Sequence, residues 1–245
     1  MKKSTGGFNV ELKHTTWSPS KLACYLECPA RAAYKYLAKL PDPGGPALVR
    51  GTFIHEQCEH YVAGRIKALA SIANGEPVKW HEKTVAELKR LRKLYAKHNI
   101  RTELDIAFTA DWEKCDWLAP NVWVRAKVDL VELDPKKHHI KVTDWKTGRF
   151  KPNGEYDDQL RMYCVALLSA MPDYDTVESR LFFTDVGEEV RRNTGELERG
   201  ALALQQKAWS NKVAPMFKDT IHSPTPSPGC RYCPYSVQKS GPCKF

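Results

Sequence analysis

The sequence predicts an α/β fold, and three observations carry that prediction. Residues 103–108, 122–133 and 142–146 are short runs rich in β-favouring side chains, the first alternating polar and apolar positions. Segments with helical spacing precede and follow them, at 82–99 and 156–171. A chain of 245 residues is long enough to bury a sizeable core, as one elaborated domain or two small ones.

Taken in order, residues 1–16 carry few packing signals and read as a lead-in. Trp17-Ser18-Pro19-Ser20 reads as a helix start with Ser18 or Ser20 as N-cap, and the helix runs through Leu22, Tyr25 and Leu26. Cys28-Pro29 interrupts it, a second helical stretch covers 30–40, and the Pro- and Gly-rich segment 41–46 makes a turn. A helix from 48 to about 73 carries His55, and a strongly basic helix follows at 82–99. The strands 122–133 and 142–146 are joined by Asp134-Pro135-Lys136-Lys137, so they should form a hairpin. After the helix 156–171, residues 177–185 and 188–192 read as two strands split by Gly187, and 195–213 as a last long helix.

Composition narrows the class. Hydrophobic residues at 42% and charged residues at 27% suit a globular protein, and no apolar run approaches the ~20 residues of a membrane span. The polar N-terminus has no apolar signal-peptide core, so an intracellular (cytoplasmic) protein is expected. The net charge of +9 favours a polyanionic partner.

The chemistry concentrates at Val142-Thr143-Asp144-Trp145-Lys146-Thr147-Gly148. Side chains at i and i+2 of a strand share a face, so Asp144 and Lys146 project together. A carboxylate there can hold a divalent metal, and the lysine can neutralise a phosphate or position an attacking water. The hairpin can bring Asp129 beside Asp144. On the following helix Gln159 and Tyr163 are i, i+4 and share a face; they read either as a surface hydrogen bond or as contacts to a substrate phosphate.

These residues resemble the PD-(D/E)XK nuclease core in its RecB-type form. Asp144-Trp145-Lys146-Thr147-Gly148 is similar to that family's Asp-aromatic-Lys-Thr-Gly strand, with Asp129 as the first acidic residue. Gly51-Thr52-Phe53-Ile54-His55 matches its Gly-x-x-x-His helix motif, and Gln159-Leu160-Arg161-Met162-Tyr163 its Gln-x-x-x-Tyr. Ala126 stands where the family often has Gly. The resemblance spans about 17–245 and implies a restriction-endonuclease-like core, a mixed central sheet flanked by helices. It implies a single nuclease domain over 17–245, with a helical region at 48–100 and a catalytic core at 101–213. It further implies Mg²⁺ or Mn²⁺ held by Asp129 and Asp144, helped by the Trp145 carbonyl and His55. Lys146 would orient the attacking water, and Gln159 and Tyr163 would position the substrate strand. The function implied is a DNA exonuclease on ends or single strands, working with recombination, repair or replication proteins. A non-catalytic DNA-binding or scaffolding protein is the alternative. No Gly-x-x-x-x-Gly-Lys-Ser/Thr loop is present, so a helicase is not expected in this chain.

Eight cysteines complete the reading. Cys58, Cys115 and Cys164 are scattered and read as packed side chains. Cys230-Arg231-Tyr232-Cys233 with Cys243 sits in a Pro- and Gly-rich tail and offers three thiolates to one metal centre. Cys28 is the candidate fourth, with Cys24 one turn earlier as a substitute. AddB-like and CRISPR-associated RecB-type nucleases carry one N-terminal and three C-terminal cysteines around a [4Fe–4S] cluster. The resemblance therefore implies such a cluster here, stapling 17–47 to 214–245; four thiolates also suit structural Zn²⁺.

Overall fold

The computed structural model describes residues 13–73, 75–150 and 156–245. The chain forms two compact units, one of Met1–Pro43 with Trp209–Phe245 and one of Gly44–Ala208.

In the first unit, α1 (Pro19–Glu27) starts where Ser18 Oγ accepts from Lys21 N and Pro19 takes the first helical position. Cys28 is extended (ψ 106°) and breaks the helix. Pro29 then opens α2 (Pro29–Ala32), which widens into a π-turn at Ala33–Leu37. The short core includes Trp17 stacked on Trp209 at 5.4 Å, with Leu22, Val213 and Met216 buried.

The second unit begins with α3 (Pro46–Val62). The sequence suggested a helix to about 73, but Gly64 (φ 78°) ends it. Gly64 N donates to Tyr61 O and Arg65 N to His60 O, the crossed pair that terminates a helix at a left-handed glycine. A small ribbon of β1 (Ile72–Ala73) and β2 (Glu76–Pro77) precedes α4 (Glu82–Tyr95). Then come β3 (Ile100–Phe108), β4 (Lys114–Cys115), β5 (Val124–Asp134) and β6 (His139–Lys146). Next are α5 (Asp157–Ala170), β7 (Thr176–Phe183), β8 (Glu188–Glu198) and α6 (Leu202–Lys218), the last passing into the first unit at Trp209.

The sheet order is β4-β3-β5-β6-β7-β8, with β6 and β7 parallel and every other pair antiparallel. The parallel step needs a crossover, and α5 supplies it. This is a mixed central sheet flanked by helices. The Asp134 turn forms as read: Lys137 N reaches both the carbonyl and Oδ1 of Asp134, each at 3.2 Å. Residues 195–198 were expected to be helical. They extend β8, with Thr176 opposite Glu198 and Val177 opposite Leu197, because pairing with β7 overrides their local preference.

Two cores cover the sheet. Ile54, Cys58 and Val62 of α3 pack with Leu88 and Leu91 of α4 around Leu130, Trp145 and Phe182. On α5, residues 162–168 are all buried, as suits a helix that is apolar almost all round. Cys58 and Cys164 are buried here, and Cys115 only half-buried.

Arg180, 3% exposed, anchors α4 to the sheet. It donates to Thr143 Oγ1 (2.8 Å) and Glu87 Oε1 (2.6 Å) and also meets Glu189. Arg90 clamps Glu87 and Glu132. Burial alone would raise the Glu87 pKa, but hydrogen bonds from Arg90 and Arg180 hold it down to about 2. A depressed carboxylate stabilises the fold above its unfolded value, and that share is lost as pH falls toward 2. Urea midpoints should drop between pH 5 and 2, and Glu87→Gln should flatten that drop. An equal drop in the variant would remove Glu87 from the account.

Candidate functional site

The last β5–β6 pair before the sheet opens is Leu130 with Thr143, and Asp129 and Asp144 are the next residue on each strand. Asp144 is 1% exposed. Its Oδ1 accepts from Gln159 Nε2 (3.1 Å) and from Tyr163 OH (3.2 Å). Its Oδ2 pairs with Lys146 Nζ at 2.5 Å. Lys146 Nζ also donates to Gln159 Oε1 (3.1 Å) and sits 5.0 Å from the centre of the Tyr156 ring.

Gln159 and Tyr163 thus turn their polar ends inward, to Asp144 and Lys146, and Gln159 Nε2 reaches Tyr163 OH at 2.7 Å. Their one-turn spacing on α5 is what lets both reach the same carboxylate. Asp129 is held differently. Its Oδ2 accepts from Trp145 N (2.9 Å) and faces His55 Nδ1 at 3.3 Å, so α3 brings the histidine to the hairpin's open end. The Trp145 ring is buried against Phe182, leaving only its backbone to serve the site.

The electrostatics follow from this packing. Burial raises the Asp144 pKa, and the Lys146 charge opposes that rise. Burial would lower Lys146, but Asp144 outweighs it and the ammonium is stabilised. For His55, burial also works downward, while the hydrogen bond and charge of Asp129 carry the net shift upward. Tyr163 is pushed well up by burial and then by Asp144, so it stays a donor.

A cleft of about 900 Å³ opens beside these residues, lined by Gly51, Thr52, His55, Glu59, Asp129 and Thr147 among others. The donors gathered here are hard: the Asp129 carboxylate beside His55, with the Asp144 carboxylate on the neighbouring strand. That chemistry fits a small divalent cation such as Mg²⁺ or Mn²⁺. Among the described residues no three His, Cys, Asp or Glu side chains already stand at metal-gripping spacing.

Sequence reasoning missed Asp185, which looked like a strand end. Its carboxylate takes two bonds from Arg50 of α3 (2.7 and 3.0 Å) and one from Gly148 N (2.7 Å). Thr184 N and Oγ1 both donate to Lys146 O, at 2.8 and 3.1 Å. The turn after β7 therefore fastens the end of the Asp144–Gly148 stretch to the start of the helix bearing His55. Separations of 37 and 135 residues leave no local signal for either tie.

In the other unit, Cys28, Cys230, Cys233 and Cys243 line one small cavity of about 20 Å³, together with Arg31 and Tyr34; Cys24 does not line it. Two of the sulfurs accept backbone N–H groups, Cys28 from Thr225 and Cys230 from Ser227, each at 3.4 Å. No disulfide joins any of the eight cysteines.

The family profile of the PD-(D/E)XK nuclease superfamily matches residues 16–238, and the chain belongs to that superfamily. No curated protein matches it. Among solved structures, SSO0001 is similar at 15% identity over 95% of this chain and 89% of that one, with a TM-score of 0.44. A "putative exonuclease" from Eubacterium rectale is similar at 12% identity, over 87% of this chain and 86% of that one, with a TM-score of 0.38. Among the described residues no helix is long and apolar enough to cross a membrane.

Proposed function

We propose that this protein is a metal-dependent DNA nuclease of RecB type, an exonuclease acting on ends or single strands in recombination, repair or replication. The observation that carries the reading is the Asp144–Lys146 pair, buried and held from α5, on the strand next to Asp129, which with His55 lines the cleft. Asp129, Asp144, the Trp145 carbonyl and His55 would hold Mg²⁺ or Mn²⁺. When bound, such a cation supplies Lewis-acid charge at phosphate and lowers the pKa of water.

The chain's own residues do the rest. Lys146 keeps its proton and offers fixed positive charge where negative charge grows on the phosphate oxygens. Gln159 bridges the two, accepting from Lys146 and donating to Asp144, so both are pre-set before substrate arrives. Tyr163 adds a second donor to Asp144. In the first unit, Cys28, Cys230, Cys233 and Cys243 would hold a [4Fe–4S] cluster, with Zn²⁺ as the competing occupant. What supports this is that all four cysteines line one cavity and that backbone amides donate to two of the sulfurs.

Incubation of end-labelled single- and double-stranded DNA with Mn²⁺, against an EDTA control, tests the reading. Metal-dependent shortening from the ends is expected; intact DNA under all conditions would refute it. Gln159→Ala should slow cleavage about 10–100-fold, the usual size for losing a group that orients a ligand. Its metal affinity should fall far less than that of an Asp144 variant. If the two lose metal equally, Gln159 has been assigned the wrong role.

A further inference from the structure

The positive charge of this chain is unevenly placed. The unit Met1–Pro43 with Trp209–Phe245 has 80 residues and carries twelve lysines and arginines against four acids. The unit Gly44–Ala208 has 165 residues and carries 26 against 25. Nearly all of the net charge of +9 therefore belongs to the unit that holds no residue of the proposed cleavage site.

The described acids of that unit are already engaged. Glu27 pairs with Arg31 at 2.8 Å, Asp42 with Lys35 at 2.7 Å, and Asp219 accepts from Tyr25 OH at 3.0 Å. Residues 220–245 contain no acid at all. In that stretch cations sit beside exposed rings. The Arg231 guanidinium lies 4.6 Å from the centre of the Tyr232 ring, and Lys244 Nζ 5.2 Å from that of Phe245. Tyr232 is 74% exposed and Phe245 38%, with Arg231, Lys239 and Lys244 exposed as well.

The backbone beneath them is ordered by its own bonds. Cys233 N donates to Cys230 O (3.0 Å), Val237 N to Phe245 O (3.1 Å) and Cys243 N to Tyr235 O (2.9 Å). Tyr232 stands largely exposed, and Phe245, which also lines the cysteine cavity, keeps part of its ring open. Exposed ring surface interleaved with cations meets two needs of one ligand: phosphates seek the charge and unpaired bases seek a flat apolar face. A paired duplex hides its base faces, so the rings select single strands.

We propose that the C-terminal stretch of this unit is a platform for single-stranded nucleic acid. Phosphates lie along Arg231, Lys239 and Lys244, and bases stack on Tyr232 and Phe245. The proposal rests on the nuclease reading for the identity of the polyanion, and it assigns the holding of the strand to residues far in sequence from those that cut it.

Fluorescence anisotropy of the full chain in EDTA, with a labelled oligothymidine and a duplex of equal length, tests this without any cleavage. Tyr232→Ala should weaken single-strand binding about tenfold, the usual size for one lost stacking partner. Tyr232→Phe should bind as the wild type does, and duplex affinity should be unchanged in both. Arg231→Glu with Lys244→Glu should lower the salt dependence of single-strand binding. The same charge change at Lys136→Glu with Lys137→Glu, on the hairpin turn of the other unit, should leave single-strand affinity within about twofold. Equal weakening by the two double variants would overturn the proposal, as would wild-type binding by Tyr232→Ala. So would binding to anionic lipid vesicles that Tyr232→Ala abolishes while oligonucleotide binding persists. The two readings fail separately: a protein that binds oligothymidine through Tyr232 but never cuts DNA sinks only the nuclease.

Discussion

Asp144→Asn should reduce DNA cleavage by about a thousandfold or more while leaving the protein folded. Losing the carboxylate that would hold the cation removes the several kcal/mol of Lewis-acid stabilisation it supplies, and each ~1.4 kcal/mol is a factor of ten in rate. The amide keeps the size of the side chain and can still accept from Gln159 and Tyr163, so the packing of β6 against α5 persists. What disappears is the charge that a cation would need. Calorimetric titration with Mn²⁺ should show weakened binding, and circular dichroism an intact fold. Lys146→Met should separate the two roles: cleavage lost, Mn²⁺ binding largely kept. If either variant cuts at the wild-type rate, the centre lies elsewhere.

Protein purified without oxygen should be brown, with about four iron atoms per chain as a four-cysteine cluster demands. Cys28→Ala or Cys233→Ala should lose the colour and unfold at markedly lower temperature. The size of the effect follows from the loop closed. Cys28 and Cys230 are about 200 residues apart, and a link across so long a loop restricts the unfolded chain by about 5 kcal/mol. Cys58→Ala and Cys164→Ala should keep the colour, because both thiols are buried in the other unit. One zinc and no iron in anaerobic protein would replace the cluster with a structural metal. The cleavage assignment would survive, since it rests on other residues.

The parts of the site that could be read from sequence are those that spacing alone determines. Asp144 and Lys146 share a strand face by the i, i+2 rule, and Gln159 and Tyr163 share a helix face by i, i+4. The hairpin turn was legible because Asp134-Pro135 leaves few backbone choices. What escaped depends on distant partners. Nothing near Asp185 predicts Arg50 or Gly148, and nothing near Arg180 predicts Glu87. The inward aim of Gln159 was likewise invisible, because a helix face says which side chains travel together but not what they meet. Errors at element ends have a common cause. Gly64 was a stop signal overlooked within an apolar run, and 195–198 favoured helix locally until β7 offered hydrogen bonds.

The first unit is assembled from the two ends of the chain, and this gives its synthesis a forced order. Trp17, Leu22 and Cys28 emerge early, whereas Trp209, Cys230 and Cys233 emerge only after the intervening 165 residues of the other unit. At ~5–20 residues per second that interval lasts roughly ten to thirty seconds. Throughout it the first helix has no stacking partner for Trp17, and the Cys28 thiol stands open to whatever oxidant or chaperone it meets. Domains fold as units while the ribosome works, so Gly44–Ala208 can close around Asp144 first. A nascent chain that stalls before Trp209 would then carry a closed Asp144 site and an unfinished companion.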